Sequence, residues 1–303
     1  MKAAKISRDD ELQPDRGILS GFDRRKPSVK VSMTVVHVLL IVGLVVAGLG
    51  PLLWLAKAAV TTTQDSISTP LLLWPSGIDW GNLGAAWVEV EVAKYFVNTL
   101  VIAAGSWLST LFIATTGGYL LSVLRPKYAP ILNGAVLATL FIPSVVLLVP
   151  LYLTIVRPVI GTSLLNNYLA VWLPAAANAF NILLVKRFFD NLPREVFEAA
   201  RTDGAGPVRL FWSIVLPMSR PILGVVSVFA IIASLKDYLW PSLVLPDPAV
   251  QPLGVRLPAI QSQTELDVFL AALAIATIVP VVLFLLFQRV FLRSAGLGGA
   301  VKG

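Results

Sequence analysis

The chain of 303 residues contains no cysteine and a single histidine, His37. A disulfide framework, a thiolate metal site and a cysteine nucleophile are therefore excluded, and one imidazole is too few for a histidine metal cluster or relay. Charge is scarce as well. Only 14% of residues are Asp, Glu, Lys or Arg, where an ordinary soluble domain carries about 25%. There is no GxxxxGK[ST] phosphate loop and not even one Gly-Lys pair, so the usual means of cradling nucleotide phosphates is missing. No internal repeat and no low-complexity tract stand out.

What is present is apolar. Hydrophobic residues make up 56% of the chain and the mean hydropathy is +0.80. They fall in runs of membrane-spanning length separated by charged patches, and a bilayer core needs about 20 apolar residues per helix. The pattern specifies an all-α polytopic membrane protein. Its net charge of +7 and pI near 9.8 would suit nucleic acid. Membrane proteins, however, gather Lys and Arg in their cytoplasmic segments, so lipid is the expected surroundings and nucleic acid is not an expected partner.

Six spans are expected, at about residues 34–56, 95–121, 131–155, 168–185, 221–239 and 268–290, within a transmembrane domain of residues 34–291. Residues 1–33 are highly charged, with too little apolar surface to fold alone, and are expected to be a mostly disordered tail. Residues 292–303 form a short C-terminal tail. The first apolar run is too long, and too far from the terminus, for a secretory signal. The third span is expected to be broken by Pro143 and Pro150. Residues 57–93, with Trp74, Trp80 and Trp87, suit an outer loop with interfacial pieces. Residues 241–266 are expected to be a proline-rich outer loop.

Placing both tails, the Arg125 turn and residues 186–220 on one side puts 19 of the 24 Lys and Arg residues there. The rule that cations stay inside makes that side cytoplasmic. No Asp or Glu is expected inside the spans, and ion-coupled carriers generally place ionisable groups near the bilayer midplane. His37 lies near the cytoplasmic entrance and is expected to be a neutral hydrogen-bonding group. An intramembrane hydrolase, which needs a base or metal beside a nucleophile, has no candidate residues.

The segment at about residues 190–217 is a polar island between apolar runs. Asn191 and Pro193 are expected to start a helix, and Gly204 to end it in the left-handed conformation. Pro207 should open a second helix. Small residues on the first helix allow close approach of a partner, while Glu198, Arg201 and Asp203 supply charge. A helix–turn–helix of this kind reads as a docking element, with a plain connector as the bland alternative. Within the spans, Asn98, Asn178 and Asn181 are the candidate translocation-path residues, because neutral amides suit hydroxyl-rich solutes. Interhelical hydrogen bonding is the alternative for each.

Glu198-Ala199-Ala200, then Gly204, then Ile214-Val215-Leu216-Pro217 resembles, at every fixed position, the EAA loop of ABC-importer permeases. Asn98-Thr99-Leu100, Arg187-Phe188-Phe189, Asp237-Tyr238-Leu239-Trp240-Pro241 and Gly299-Ala300-Val301-Lys302-Gly303 extend the likeness to the MalG-like permeases of carbohydrate importers. The resemblance covers residues 34–303. It departs at Leu235-Lys236, where many members carry Trp-Asn.

The resemblance implies the ABC type I importer permease fold, with six transmembrane helices and a cytoplasmic coupling loop between spans four and five. It implies a second, non-identical permease, two copies of an ATPase subunit and an extracytoplasmic solute-binding protein as partners. ATP and Mg2+ would sit in the ATPase subunits, leaving this chain without cofactor, metal or catalytic residue. Glu198 would be the anchoring charge, Ala199 and Ala200 the close-packing face and Gly204 the turn, with Asp203, Ile214, Leu216 and Pro217 completing the docking loop. Gly299, Lys302 and Gly303 would give a second ATPase contact. Pro241, Asp247 and Arg256 would face the binding protein. The cargo implied is a sugar or polyol, with another polar solute such as glycerol phosphate as the alternative.

Overall fold

The structure is a computed structural model that describes residues 26–70, 72, 74, 76–158 and 161–296. The expectations for residues 1–25 and for Gly299, Lys302 and Gly303 lie outside the described residues. The chain divides into two units, Met1–Ala56 and Lys57–Gly303. Among the described residues every regular element is helical.

Helix α1, Pro27–Ala58, occupies nearly all of what is described in the first unit. It starts at Pro27 rather than at Thr34, because a proline's fixed φ suits the first helical turn. Its valine, leucine and isoleucine side chains from Val31 to Leu53 are exposed. His37 Nδ1 lies 2.6 Å from the Met33 carbonyl oxygen one turn back and donates to it.

The second unit opens with two short helices, α2 (Thr63–Ser68) and α3 (Gly81–Val88). Trp74, Trp80 and Trp87 are all exposed there. The axis of the unit is α4, Val92–Leu124, whose last five residues open into a π turn. Three bent pairs follow. Helices α5 (Ala129–Thr139) and α6 (Ser144–Val156) meet at 109°, α7 (Leu169–Ala176) and α8 (Ala179–Asp190) at 44°. After α9 (Arg194–Thr202), α10 (Pro207–Met218) and α11 (Arg220–Lys236) meet at 80°. Then come α12 (Leu239–Val244), α13 (Leu253–Ile260) and the last helix, α14 (Leu266–Gly296).

Each bend has a local cause. A residue before proline is driven out of the helical region, and the break expected at Pro143 is a 109° elbow between α5 and α6. Pro150 stays inside α6 and breaks nothing. Asn178 leaves the helical region with ψ of 107° and caps α8 by accepting from the Asn181 N–H at 3.0 Å. Ser219 donates to the Val215 carbonyl at 2.6 Å, a back-bond that bends helices.

Two helices, Pro27–Ala58 and Val92–Leu124, are long and apolar enough to cross a bilayer unbroken. Each bent pair reaches that length only as a unit. Close packing of α4 depends on small residues. Gly105 makes room for Trp172 of α7, and Gly118 for Val185 and the Lys186 backbone of α8. The expected outer loop at residues 241–266 is in fact largely helical, and α4 holds it in place. Asn98 donates to the carbonyls of Ala249 at 2.9 Å and Gln251 at 3.0 Å, and Thr99 accepts from the Leu253 N–H at 2.9 Å.

Candidate functional site

Residues 190–217 form two helices around a tight turn. Helix α9 begins after Pro193. Asn191 does not cap it, and instead donates back to the Arg187 carbonyl at 2.9 Å, closing the end of α8. At the far end Gly204 has φ of +75°. Its N–H bonds Arg201 O at 3.0 Å, and Ala205 N–H bonds Ala200 O at 2.9 Å. That pair of bonds is the Schellman closure, which needs a left-handed residue and so favours glycine. Pro207 then opens α10.

The motif has two faces. Phe197, Ala200, Leu210, Phe211 and Val215 point inward and are buried in one cluster with Tyr119, Val185 and Phe189. Glu198, Ala199, Asp203, Gly204 and Pro217 are exposed, while Ile214 and Leu216 are half-buried. Ala200 therefore packs the helix onto its own chain, which separates it from Ala199. Glu198, Arg194 and Arg201 also line a cavity of about 220 Å³ shared with Arg125 and Asp190.

Two links from the bundle to this element were not legible in the sequence. Asp190 accepts from Lys186 Nζ at 2.7 Å, Ser122 Oγ at 2.7 Å and Arg125 Nη2 at 3.1 Å. It thereby ties the root of α9 to the end of α4. Tyr119 Oη donates to the Pro207 carbonyl at 2.8 Å, and its ring packs 5.0 Å from that of Phe211. The spacing of Lys186 and Asp190 by four residues was the one available signal.

A second feature lies inside the bundle. A cavity of about 470 Å³ is lined by residues of α4, α6, α7, α8 and α11 and by the turn into α12. Asn178 and Asn181 line it, as expected of path residues, but Asn98 does not. The Asn98 amide is buried and engaged with the Ala249 and Gln251 carbonyls, and its Oδ1 accepts from Tyr168 Oη at 2.8 Å. Three buried polar atoms at the cavity, Ser106 Oγ, Asn181 Oδ1 and Ser234 Oγ, have no hydrogen-bond partner in the protein. Asp237 also lines this cavity. It falls within the expected fifth span, which corrects the expectation that the spans hold no carboxylate.

The residues expected to face a binding protein separate too. Pro241 is buried, and the Arg256 guanidinium is half-buried over the Tyr95 ring, 5.5 Å from its centroid. Only Asp247 is exposed, where it caps the Pro248–Val250 turn by accepting from Ala249 N–H at 2.8 Å. Buried Pro241 cannot meet a partner's surface.

These features define a class: a helical membrane protein with a polar cavity in its bundle and a helix–turn–helix at one end. The chain belongs to the family described as binding-protein-dependent transport system inner membrane components, whose sequence profile matches residues 111–296. It is 30% identical over 271 residues to the sn-glycerol-3-phosphate transport system permease protein UgpE of Pectobacterium atrosepticum, covering 85% of this chain and 94% of that one. It is 30% identical over 237 residues to the melibiose/raffinose/stachyose import permease protein MelC of Bacillus subtilis, covering 76% of this chain and 84% of that one. The fold matches a chain in the crystal structure of a bacterial ABC transporter involved in import of the acidic polysaccharide alginate. The TM-score is 0.75 at 20% identity, over 87% of this chain and 97% of that one. The protein is thus a permease subunit of a binding-protein-dependent ABC importer.

Proposed function

We propose that this subunit pairs with a second, non-identical permease to form the path for a sugar or related polyol delivered by an extracytoplasmic binding protein. The chain crosses the membrane six times, with both termini in the cytoplasm. It performs no catalysis and binds no cofactor. ATP and Mg2+ are held by two ATPase subunits docked on α9 and α10, and ATP-driven closure of those subunits carries the docked element with it. The bundle then exchanges between inward and outward openings, a shift that requires the ATP-bound partners to favour one state over the other.

The observation that carries this reading is the two-faced helix–turn–helix, with Glu198, Ala199, Asp203 and Gly204 exposed over a core continuous with the bundle. Glu198→Ala and Gly204→Val are the variants to test in the reconstituted complex. Each should abolish solute uptake or release the ATPase while the permease still inserts. Retained uptake and retained assembly in both would sink the docking role. Collapsing proton and sodium gradients should leave uptake intact while ATP lasts. A second reading, glycerol phosphate as cargo, is favoured by the similarity to glycerol-phosphate permeases.

A further inference from the structure

We propose that the 470 Å³ cavity is a binding site for an uncharged polyhydroxylated solute and that Asp237 makes it reject anionic ones. The proposal rests on the importer reading above and chooses between its two cargoes. Ligand pockets typically occupy about 300–1,000 Å³ and combine an apolar wall with a few placed polar groups. This cavity meets that description. Leu148, Val171 and Trp240 belong to its apolar wall, and Ser106, Thr110, Ser144, Asn178, Asn181 and Ser234 are its uncharged polar residues. Ser106 and Asn181 are 1% and 5% exposed. Ser106 Oγ, Asn181 Oδ1 and Ser234 Oγ have no partner in the protein, and hydroxyls, each able to donate and accept, suit a lining of neutral amides and hydroxyls.

Trp240 is fixed in the wall by donating its indole N–H to the Ala170 carbonyl at 2.9 Å. Charge makes the choice between cargoes. Among the lining residues there is no Lys, Arg or His, and the single ionisable one is Asp237. Its Oδ1 accepts from the Trp240 N–H at 3.2 Å, which holds the carboxylate at the turn closing the cavity, where it is exposed. Phosphate sites are built from guanidinium, ammonium or helix N-terminal N–H groups. The N–H of Asn181 in the first turn of α8 is already taken by Asn178. A phosphate ester here would meet a carboxylate and no cation. Like charges brought together across a recognition site cost several kcal/mol, which corresponds to discrimination on the order of 100-fold or more.

The test is equilibrium binding to the purified, nucleotide-free complex of both permeases and the ATPase, so that the binding protein's own selectivity does not enter. Probes are neutral sugars from hexose to tetrasaccharide, the uronate of each hexose, and sn-glycerol 3-phosphate. Wild type should bind a neutral sugar about 100-fold more tightly than its uronate. Asp237→Asn, which keeps an oxygen for the Trp240 N–H, should remove most of that ratio by tightening the uronate alone. Asp237→Glu should keep it. Asn181→Asp, adding a second carboxylate, should widen it and serves as an independent variant should Asp237→Asn fail to assemble. A neutral sugar bound with a ratio untouched by Asp237→Asn and Asn181→Asp would overturn the charge filter and leave the sugar reading standing. Glycerol phosphate bound as tightly as any sugar would overturn both. Absence of binding by every probe would overturn the site itself.

Discussion

At Gly118 a methyl group would stand 2.9 Å from Val185 Cγ1 and 3.0 Å from the backbone nitrogen of Lys186. Valine is stiff at χ1, and the lysine atom is main chain, so α8 itself has to shift. That helix runs directly into Asp190 and the root of α9. Overpacking of this kind costs about 1–3 kcal/mol, while alanine gains about 1 kcal/mol over glycine as a helix former. The expected net effect of Gly118→Ala is a destabilisation of up to about 2 kcal/mol.

Two neighbouring glycines calibrate that figure. At Gly117 the added methyl meets Ile182 Cγ2 at 3.3 Å, the end of a side chain, so the two terms should nearly cancel. At Gly134 nothing lies within 4 Å, and alanine should stabilise by about 0.5–1 kcal/mol. Thermal unfolding of the solubilised complex should therefore rank Gly134→Ala above Gly117→Ala above Gly118→Ala. ATP-driven uptake should fall only for the last. Equal stability of Gly118→Ala and Gly134→Ala, with uptake intact, would refute the close approach of α4 and α8 and the role given to it.

Three further outcomes are expected. Asn98→Ala removes three hydrogen bonds and strands the Ala249 and Gln251 carbonyls, at a cost of about 2–4 kcal/mol; faster hydrogen exchange confined to residues 245–263 is the readout. Asp190→Ala leaves Lys186 and Arg125 without this carboxylate, and because the Arg125 side chain is 54% exposed the loss should stay near about 1–2 kcal/mol. Its signature is ATP hydrolysis that continues while uptake per ATP falls. Tyr119→Phe should cost about 1 kcal/mol through the lost bond to Pro207 and lower coupling without releasing the ATPase, whereas unchanged coupling would remove this link from the transmission path.

Several elements could be placed without any coordinates. Apolar runs mark the membrane helices because a bilayer admits little else. The turn at Gly204 was legible because a left-handed residue one turn past Ala200 has few chemical solutions. Other elements were misjudged for identifiable reasons. For residues 131–155 the break at Pro143 was legible, but its 109° angle depends on how the chain leaves that proline, and Pro150, expected to break the span again, sits inside α6. Residues 241–266 look like a loop because of their prolines, yet Pro241 and Pro248 sit in first helical turns, Pro258 lies inside α13, and Asn98 and Thr99 organise the segment from more than 140 positions away.

The pattern of residues by itself determined the class of protein and the helix–turn–helix. Each of these rests on interactions between near neighbours or with the solvent. Tertiary structure alone decided that Asn98 is a strut while Asn181 faces a cavity, that Ala200 turns inward while Glu198 and Ala199 turn outward, and that Asp237 joins the lining of a chamber otherwise made of hydroxyls, amides and apolar groups. An amide or a carboxylate has the same composition in a strut as in a binding site. What distinguishes the two is which partners the packed helices bring within hydrogen-bonding distance.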